Sequence, residues 1–270
     1  AVSSQFQGVK TEQVYAGIKE LGFYDVVEAA IGADMVSAFE AKELAETVEE
    51  KGWKTSSCCP AFVDYVEKNY PQFVDHISTA VSPMIATARA IKAKDKKARV
   101  VFVGPCTAKK VEMKRESLKD AVDIVITFEE LQAIFDAREI ELTSLEPRMA
   151  GEASSFGRNF ARTGGVTESV AHTLELSGLD LDVKAVRCNG IDECIKAMKM
   201  ASFGKLDANF IEGMACKHGC TGGAASLLHD AKGIEMINRY GKESKTDNPL
   251  EILEKYPIDN INMERFNHED

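Results

Sequence analysis

Residues 208–223, ANFIEGMACKHGCTGG, begin as a strand pattern and run directly into two cysteines and a pair of glycines. The opening part, ANFIEG (208–213), centres on an aromatic and a β-branched residue, which is typical of a buried strand. Three more runs of this kind are ARVVFVG (98–104), DIVIT (123–127) and VKAVRC (183–188). Because open parallel sheets gather functional residues at the carboxyl ends of their strands, the two cysteines mark a candidate site.

Helical patterns alternate with these strands. VSPMIATARAIKAK (81–94) and IDECIKAMKMASFG (191–204) keep apolar residues on one face, and EAKELAETVEEKG (40–52) is an acidic pattern that ends at a glycine. A further helix is predicted from Pro60, a residue suited to the first helical turn. Strands followed by helices predict an α/β fold built on parallel sheets.

Composition and charge narrow the function classes. The 270 residues are 44% hydrophobic and 28% charged, which describes an ordinary globular protein, and the net charge of −10 argues against nucleic acid. No apolar run reaches the roughly 18 residues of a membrane span, so we expect no membrane partner. Seven cysteines without a signal peptide predict a reducing, cytoplasmic location. The sequence lacks an initiator Met, so we expect a piece of a longer chain.

The cysteines occupy loop positions of one kind. Cys106 follows the strand at 98–104, Cys216 and Cys220 follow the strand at 208–213, and Cys58 and Cys59 precede the predicted helix. Iron–sulfur clusters commonly use four thiolates, and glycine-rich loops let backbone N–H groups approach the sulfurs. A zinc site is the second interpretation, although only one pair has a spacing typical of structural zinc. In the third interpretation, all five of these cysteines have only a structural role.

The remaining cysteines, Cys188 and Cys194, fit a strand and a helix, and we interpret them as small buried hydrophobes.

Three motifs resemble the catalytic domain of FeFe hydrogenases. They are TSSCCPAF (55–62), GPCTAKKVE (104–112) and EGMACKHGCTGG (212–223), with a weaker fourth, FGRNFARTGGVTES (156–169). The motifs occur in the family's order and extend over most of the chain. The resemblance implies two lobes built on parallel sheets flanked by helices, with a metal cluster in the cleft between them. We expect residues 1–270 to form one unit. The residues after about Gly241 are polar, so we expect this tail to lie along the surface.

The family's cofactor is the H-cluster, a 4Fe–4S cube joined through one cysteine to a diiron unit with carbon monoxide, cyanide and a bridging dithiolate amine. The resemblance implies that Cys220 bridges to the diiron unit and that Cys58 relays protons. Lys109 matches a lysine that hydrogen-bonds a cyanide, and Met214 matches a methionine that packs near the cluster. The ligands of the cube implied in this way are Cys59, Cys106, Cys216 and Cys220.

Glu40 and Glu43 resemble the two carboxylates of the family's proton path, with Ser78 or Thr79 as the hydroxyl between them. The alternative is that this acidic helix presents a solvated face. Ser3 stands near the position of a serine that contacts a cyanide.

Other positions depart from the family: Gly104 replaces a methionine, TGGAAS lacks a third glycine, and Thr47 replaces an arginine after the second carboxylate. Such departures resemble the divergent sensory branches of the family.

Three functions remain open from the sequence. The first is an oxidoreductase that interconverts protons and hydrogen, and the second is a hydrogen sensor with the same cofactor and slow turnover. The third is an iron–sulfur assembly protein of the same fold without the diiron unit. The resemblance implies that electrons come from an upstream ferredoxin-like domain or a ferredoxin, and that maturation proteins deliver the diiron unit.

Overall fold

The computed structural model describes residues 1–148 and 151–266 and shows two parallel β-sheets flanked by helices. The predicted α/β class is therefore confirmed. Within these residues, no helix is both long enough and apolar enough to span a bilayer. The α-helices are α1 Thr11–Glu20, α2 Ala30–Lys51, α3 Pro60–Asn69, α4 Pro83–Lys94, α5 Lys109–Glu112, α6 Phe128–Ala137, α7 Ser155–Asn159, α8 Gly165–Leu176, α9 Ile191–Ser202, α10 Lys232–Lys242 and α11 Ile252–Lys255.

The larger sheet has three strands, with the order β1, β5, β4. Their bounds are β1 Lys54–Thr55, β4 Ala185–Asn189 and β5 Phe210–Met214. Every residue of the central strand β5 is buried, as expected for a strand with neighbours on both sides and helices over its faces. The predicted strands at 183–188 and 208–213 correspond to β4 and β5.

The smaller sheet pairs β2 Val101–Gly104 with β3 Ile124–Thr127 in parallel. Both strands were predicted, because their apolar runs are continuous. Thr127 then caps α6: its side chain accepts a hydrogen bond from Glu130 N–H, and Glu130 binds back to the Thr127 N–H.

Strand β1 was not predicted. It consists of only Lys54 and Thr55, which pair with Phe210 and Ile211 of β5. Neither residue belongs to an apolar run, so local sequence gives no strand pattern here. The pairing nevertheless aligns the loop after β1 with the loop after β5.

Helix α2 crosses the middle of the molecule and packs against α4, α7 and α8. The predicted helix at 40–52 is its second half. Gly32 allows the closest approach, since a Cβ there would lie 2.2 Å from the Pro83 carbonyl oxygen. The first half of α2 is therefore held inside the fold rather than on its surface.

The segment after Gly241 is polar on average, but its apolar side chains pack into the largest core cluster. Ile252, Ile261 and Met263 are all buried there. That residues 1–270 form one unit of two lobes remains a prediction.

Candidate metal centre

Three loops at the carboxyl ends of strands carry the cysteines that the sequence singled out. They follow β1, β2 and β5, and so come from both sheets. The larger sheet contributes four of the thiols and the smaller sheet one. In chain order they are Cys58, Cys59, Cys106, Cys216 and Cys220.

The four candidate ligands lie close enough to influence one another's ionisation. Burial, with repulsion from Cys106 and Cys59, raises the pKa of Cys220 to about 12. Burial, with repulsion from Cys59 and Cys106, also raises the pKa of Cys216 to about 11. The pKa of Cys59 is raised chiefly by its burial. The fold thus brings together four thiols from three separate loops, and a metal that binds them displaces their protons.

Backbone N–H groups lie near two of these sulfurs. Those of Phe62 and Ala215 lower the pKa of Cys59, and that of Ala224 lowers the pKa of Cys216. Each favours the thiolate and partly offsets the effect of burial on the pKa. Cys59 is also the N-cap of α3, where the helix dipole favours negative charge.

The arrangement differs from that of a single-ion site. In residues 1–148 and 151–266, no three His, Cys, Asp or Glu side chains are grouped as ligands of one metal ion. A tetrahedral zinc with Zn–S bonds of about 2.3 Å would need its sulfurs only about 4 Å apart. The thiols of the described residues interact electrostatically without forming such a group.

The loop of Cys216 and Cys220 packs tightly onto its neighbours. The Cys220 N–H donates to the Ala161 carbonyl at 2.7 Å, and Ala225 N–H donates to the Pro105 carbonyl at 2.9 Å. Gly219 has a positive φ of 71°, and a Cβ on it would lie 2.6 Å from the Ala161 oxygen. The loop is therefore fixed both to the segment before α8 and to the loop of Cys106.

Glu212 is a structural residue of the site whose role the sequence did not reveal. Its carboxylate is fully buried and accepts hydrogen bonds from Gly164 N–H at 2.7 Å, Thr167 N–H at 3.0 Å and Thr167 Oγ1 at 2.6 Å. Burial raises its pKa, and these bonds oppose that rise. Glu212 thereby joins β5 to the first turn of α8, which explains why EGMAC and TGGVTES occur together.

Lys109 places a buried cation beside the cysteines. Its ammonium donates to the Cys58 carbonyl at 3.1 Å and to Glu112 Oε2 at 2.7 Å. Burial alone would lower the pKa of Lys109, but Glu112 and the nearby thiols outweigh it and raise the pKa. The side chain therefore stays charged.

Cys58 is buried on the inner side of the same loop. Burial, followed by the Glu40 carboxylate, raises its pKa well above the ordinary value. Met214, at the end of β5, is also buried. The buried Oγ of Ser3 has no hydrogen-bond partner among the described residues, which leaves it available to a ligand.

Glu40 and Glu43 lie on the buried side of α2, contrary to the solvated alternative. Glu40 is 1% exposed, and its Oε1 accepts a hydrogen bond from Ser57 N–H at 3.1 Å. Burial raises the pKa of Glu40 to about 7. Ser78 Oγ donates to Glu43 Oε2 at 2.6 Å, and Thr79 N–H binds the same carboxylate. The Ser78 hydroxyl is thus held at Glu43, and the Glu40 carboxylate lies near enough to Cys58 to raise its pKa.

The cation that pairs with Glu43 comes from β1. Lys54 Nζ lies 2.8 Å from Glu43 Oε1. Thr47, at the position where the family resemblance implies an arginine, instead donates its hydroxyl to the Glu43 carbonyl at 2.7 Å. Lys54 was missed because it lies in a strand that sequence did not predict.

Cys188 and Cys194 lie in a separate apolar cluster, as expected for structural cysteines. Both are fully buried, and a hydrogen bond with Cys188 raises the pKa of Cys194.

Comparison with known proteins agrees with these features. Residues 1–224 match the family described as "Iron only hydrogenase large subunit, C-terminal domain". Iron hydrogenase 1 of Clostridium pasteurianum is 30% identical over 84% of this chain and 47% of its own length. The cytosolic Fe-S cluster assembly factor NAR1 of Sclerotinia sclerotiorum is 33% identical over 55% of this chain and 29% of its own length. The chain thus spans about half of the first of these relatives, and less of the second.

Solved structures support the fold. An [FeFe]-hydrogenase structure superposes with a TM-score of 0.75 at 22% identity, covering 97% of this chain and 86% of the other. A second [FeFe]-hydrogenase structure, from Chlamydomonas reinhardtii, superposes with a TM-score of 0.72 at 21% identity, covering 94% of this chain and 84% of the other. Since the family match includes every cysteine of the candidate centre, the chain belongs to the iron-only hydrogenase family, within the C-terminal domain of its large subunit.

Proposed function

We propose that the chain is the catalytic domain of an FeFe hydrogenase, which interconverts two protons and two electrons with molecular hydrogen. The observation that carries this proposal is the buried series of proton-exchanging groups that leads from Glu43 through Ser78 and Glu40 to Cys58, beside the four cysteines. A cluster scaffold has no need of such a series. The series ends at a thiol that no ligand role requires.

The donor set fits an H-cluster. Four soft thiols from three loops suit a 4Fe–4S cube, and backbone N–H groups near two of the sulfurs favour their thiolate forms. The cube would be held by Cys59, Cys106, Cys216 and Cys220, with Cys220 as the bridge to the diiron unit. Two further groups suit the cyanide ligands, namely the Lys109 ammonium and the unpartnered Ser3 hydroxyl. When bound, this cofactor would pass on electrons from the external donor and supply the iron at which protons are reduced.

The protein residues would handle the protons. Glu40, with a pKa of about 7, can gain and lose a proton near neutrality. One of its oxygens is held by Ser57, while the buried Oε2 has no partner among the described residues. Glu40 is therefore placed to exchange a proton with Cys58. At the outer end, Ser78 can pass a proton between the two carboxyls, and Lys54 holds the Glu43 carboxylate in place.

The same proposal implies an electron donor and maturation proteins as partners. Electrons would arrive from an upstream ferredoxin-like domain or a separate ferredoxin, and maturation proteins would deliver the diiron unit. The rest of the longer relatives lies outside this chain, which covers 47% of Iron hydrogenase 1.

A second candidate function is an iron–sulfur assembly factor, because several relatives are named as such and one shares 33% identity over 55% of the chain. Infrared spectroscopy of the matured protein separates the two, since cyanide and carbonyl bands require a diiron unit. Bands together with hydrogen evolution support the enzyme. Bands with barely measurable turnover point to the sensor, and a cube without bands supports the assembly factor.

A further inference from the structure

Two buried polar atoms beside the loop of Cys58 and Cys59 lack partners among the described residues. They are Ser82 Oγ and Arg265 Nε, neither of which has a hydrogen-bond partner within the part of the chain that the structure describes. Ser82 is 1% exposed and Arg265 is 6% exposed. Buried donors and acceptors are nearly always paired in native proteins, with protein or with ordered water. Two such atoms therefore require an explanation.

Both residues line one small cavity of about 10 Å³. A buried water needs roughly 10–15 Å³ and two to four polar partners, so the space suits a single water. Arg265 Nε can only donate, whereas the Ser82 hydroxyl can donate or accept. A water can accept a hydrogen bond from Arg265 Nε, and it can either donate to the Ser82 hydroxyl or accept from it.

The charges around the cavity favour a neutral occupant. Arg115 and Arg265 line it on one side and Glu112 on another, and Ser57 completes the polar part of the wall. Glu112 is already paired with Lys109, and Arg115 with Asp64 and Glu67. An added ion would lie next to a group of its own sign, whereas a water would not.

The guanidinium of Arg265 is held by an ion pair, whereas the Ser82 hydroxyl makes no hydrogen bond to the described residues. Arg265 Nη2 donates to Glu67 Oε1 at 2.8 Å, which fixes the guanidinium and leaves Nε facing inward. Ser82 stands at the N-cap of α4, but its side chain caps no N–H group there.

We propose that this cavity is a binding site for one structural water, held by Ser82 Oγ and Arg265 Nε. The water joins two segments that already lie side by side. Arg265 N–H donates to the Thr79 carbonyl at 2.8 Å, and Val81 N–H donates to the Met263 carbonyl at 2.7 Å. The site thus fastens the C-terminal segment, which lies beyond the family match, to residues 78–82.

Residues 78–82 position the proton-exchanging groups. Ser78 and Thr79 bind Glu43, and the Ala80 carbonyl accepts a hydrogen bond from Ser57 Oγ at 2.6 Å. The water therefore acts as a positioning element behind this segment. This role rests on the proposed function, whereas the water site itself does not.

The first test asks whether replacing Ser82 by alanine lowers or raises the midpoint of thermal unfolding. Ser82→Ala in the complete, cluster-loaded chain removes one partner of the water, so the midpoint of thermal unfolding should fall by about 2–4 °C. If the cavity is dry, the same substitution removes an unsatisfied buried hydroxyl, and the midpoint should stay or rise. Ser37→Ala is the matched control, because its buried hydroxyl has direct partners in Ala33 and Ser169. A fall like that of the control supports the site, and an unchanged or raised midpoint overturns it.

The second test is a crystal structure at a resolution that shows ordered waters. We expect one density peak within hydrogen-bond distance of both Ser82 Oγ and Arg265 Nε. An empty cavity, or an Arg265 Nε paired with a protein group, overturns the proposal. Neither measurement depends on hydrogen evolution, so failure of the water site and failure of the proposed activity are told apart.

Discussion

Lys54 and Glu43 form a buried ion pair, with 2.8 Å between Nζ and Oε1 and side chains only 5% and 12% exposed. The pair joins β1 to α2 at the outer end of the series of groups that leads to Cys58. Removing one partner of a buried pair leaves an uncompensated charge, which costs far more than losing a surface pair.

Lys54→Met should therefore lower the free energy of unfolding by about 3 kcal/mol at neutral pH, measured by denaturant titration. Lys110→Met is the matched control, because Lys110 pairs with Glu130 at a more exposed site, where we expect less than about 1 kcal/mol. Equal losses in the two variants would contradict the buried character of the Lys54 pair.

Replacing any of Cys59, Cys106, Cys216 or Cys220 by serine should abolish or strongly reduce the iron content and the visible absorption of the 4Fe–4S cube. Cys188→Ala is the control, because it also removes a cysteine thiol, but one that lies in the separate apolar cluster. Loss of the cube in the control, or its retention in all four serine variants, would show that the ligand assignment is wrong.

Cys58→Ala should keep the cube and the infrared bands of the diiron unit but lose most hydrogen evolution. The thiol is the innermost proton-exchanging group, and alanine carries no proton to exchange. A barrier raised by about 3 kcal/mol corresponds to a rate lowered about a hundredfold. Spectrum and rate should be measured on one preparation. Turnover close to that of the parent would mean that Cys58 is only a packed thiol.

Glu40 should make stability depend on pH. Its pKa rises from 4.5 in the unfolded chain to about 7 in the fold, so the folded state binds the proton more tightly. Stability is then lost progressively as the pH rises from about 4.5 to 7, by about 3 kcal/mol in total.

Glu40→Gln removes this penalty, so the variant should gain stability over the parent at pH 8 but much less at pH 5, as measured by urea unfolding at both values. Glu46→Gln, on the exposed side of the same helix, is the control and should show no such difference. A Glu40→Gln gain that is equal at both pH values would contradict the raised pKa.

The sequence predicted four of the five strands found in residues 1–148 and 151–266, because each of the four has its own apolar run. It did not predict β1, whose two residues, Lys54 and Thr55, form a strand only through their pairing with β5. The same tertiary contact brings Lys54 to Glu43, so the ion pair was missed together with the strand. The burial of Glu40 could not be read from an acidic pattern either, since it depends on the packing of α2 against the helices around it.

The candidate site was also predicted only in part. The cysteines were identified because their residue type and motifs are specific. Glu212 was not, because its role depends on Gly164 and Thr167, which are distant in sequence. Arg265 was also missed, because an antiparallel contact with the segment before α4 gives it its position.

The cysteine loops belong to two different sheets, with Cys106 after β2 and the others after β1 and β5. A cube bound by all four thiols would therefore crosslink the sheets, and its binding energy would count as folding energy for their docking. Assembly then has an order, because both sheets must form before the ligand set is complete. Loss of iron would loosen the junction between the sheets first, and limited proteolysis should begin there while each sheet remains folded.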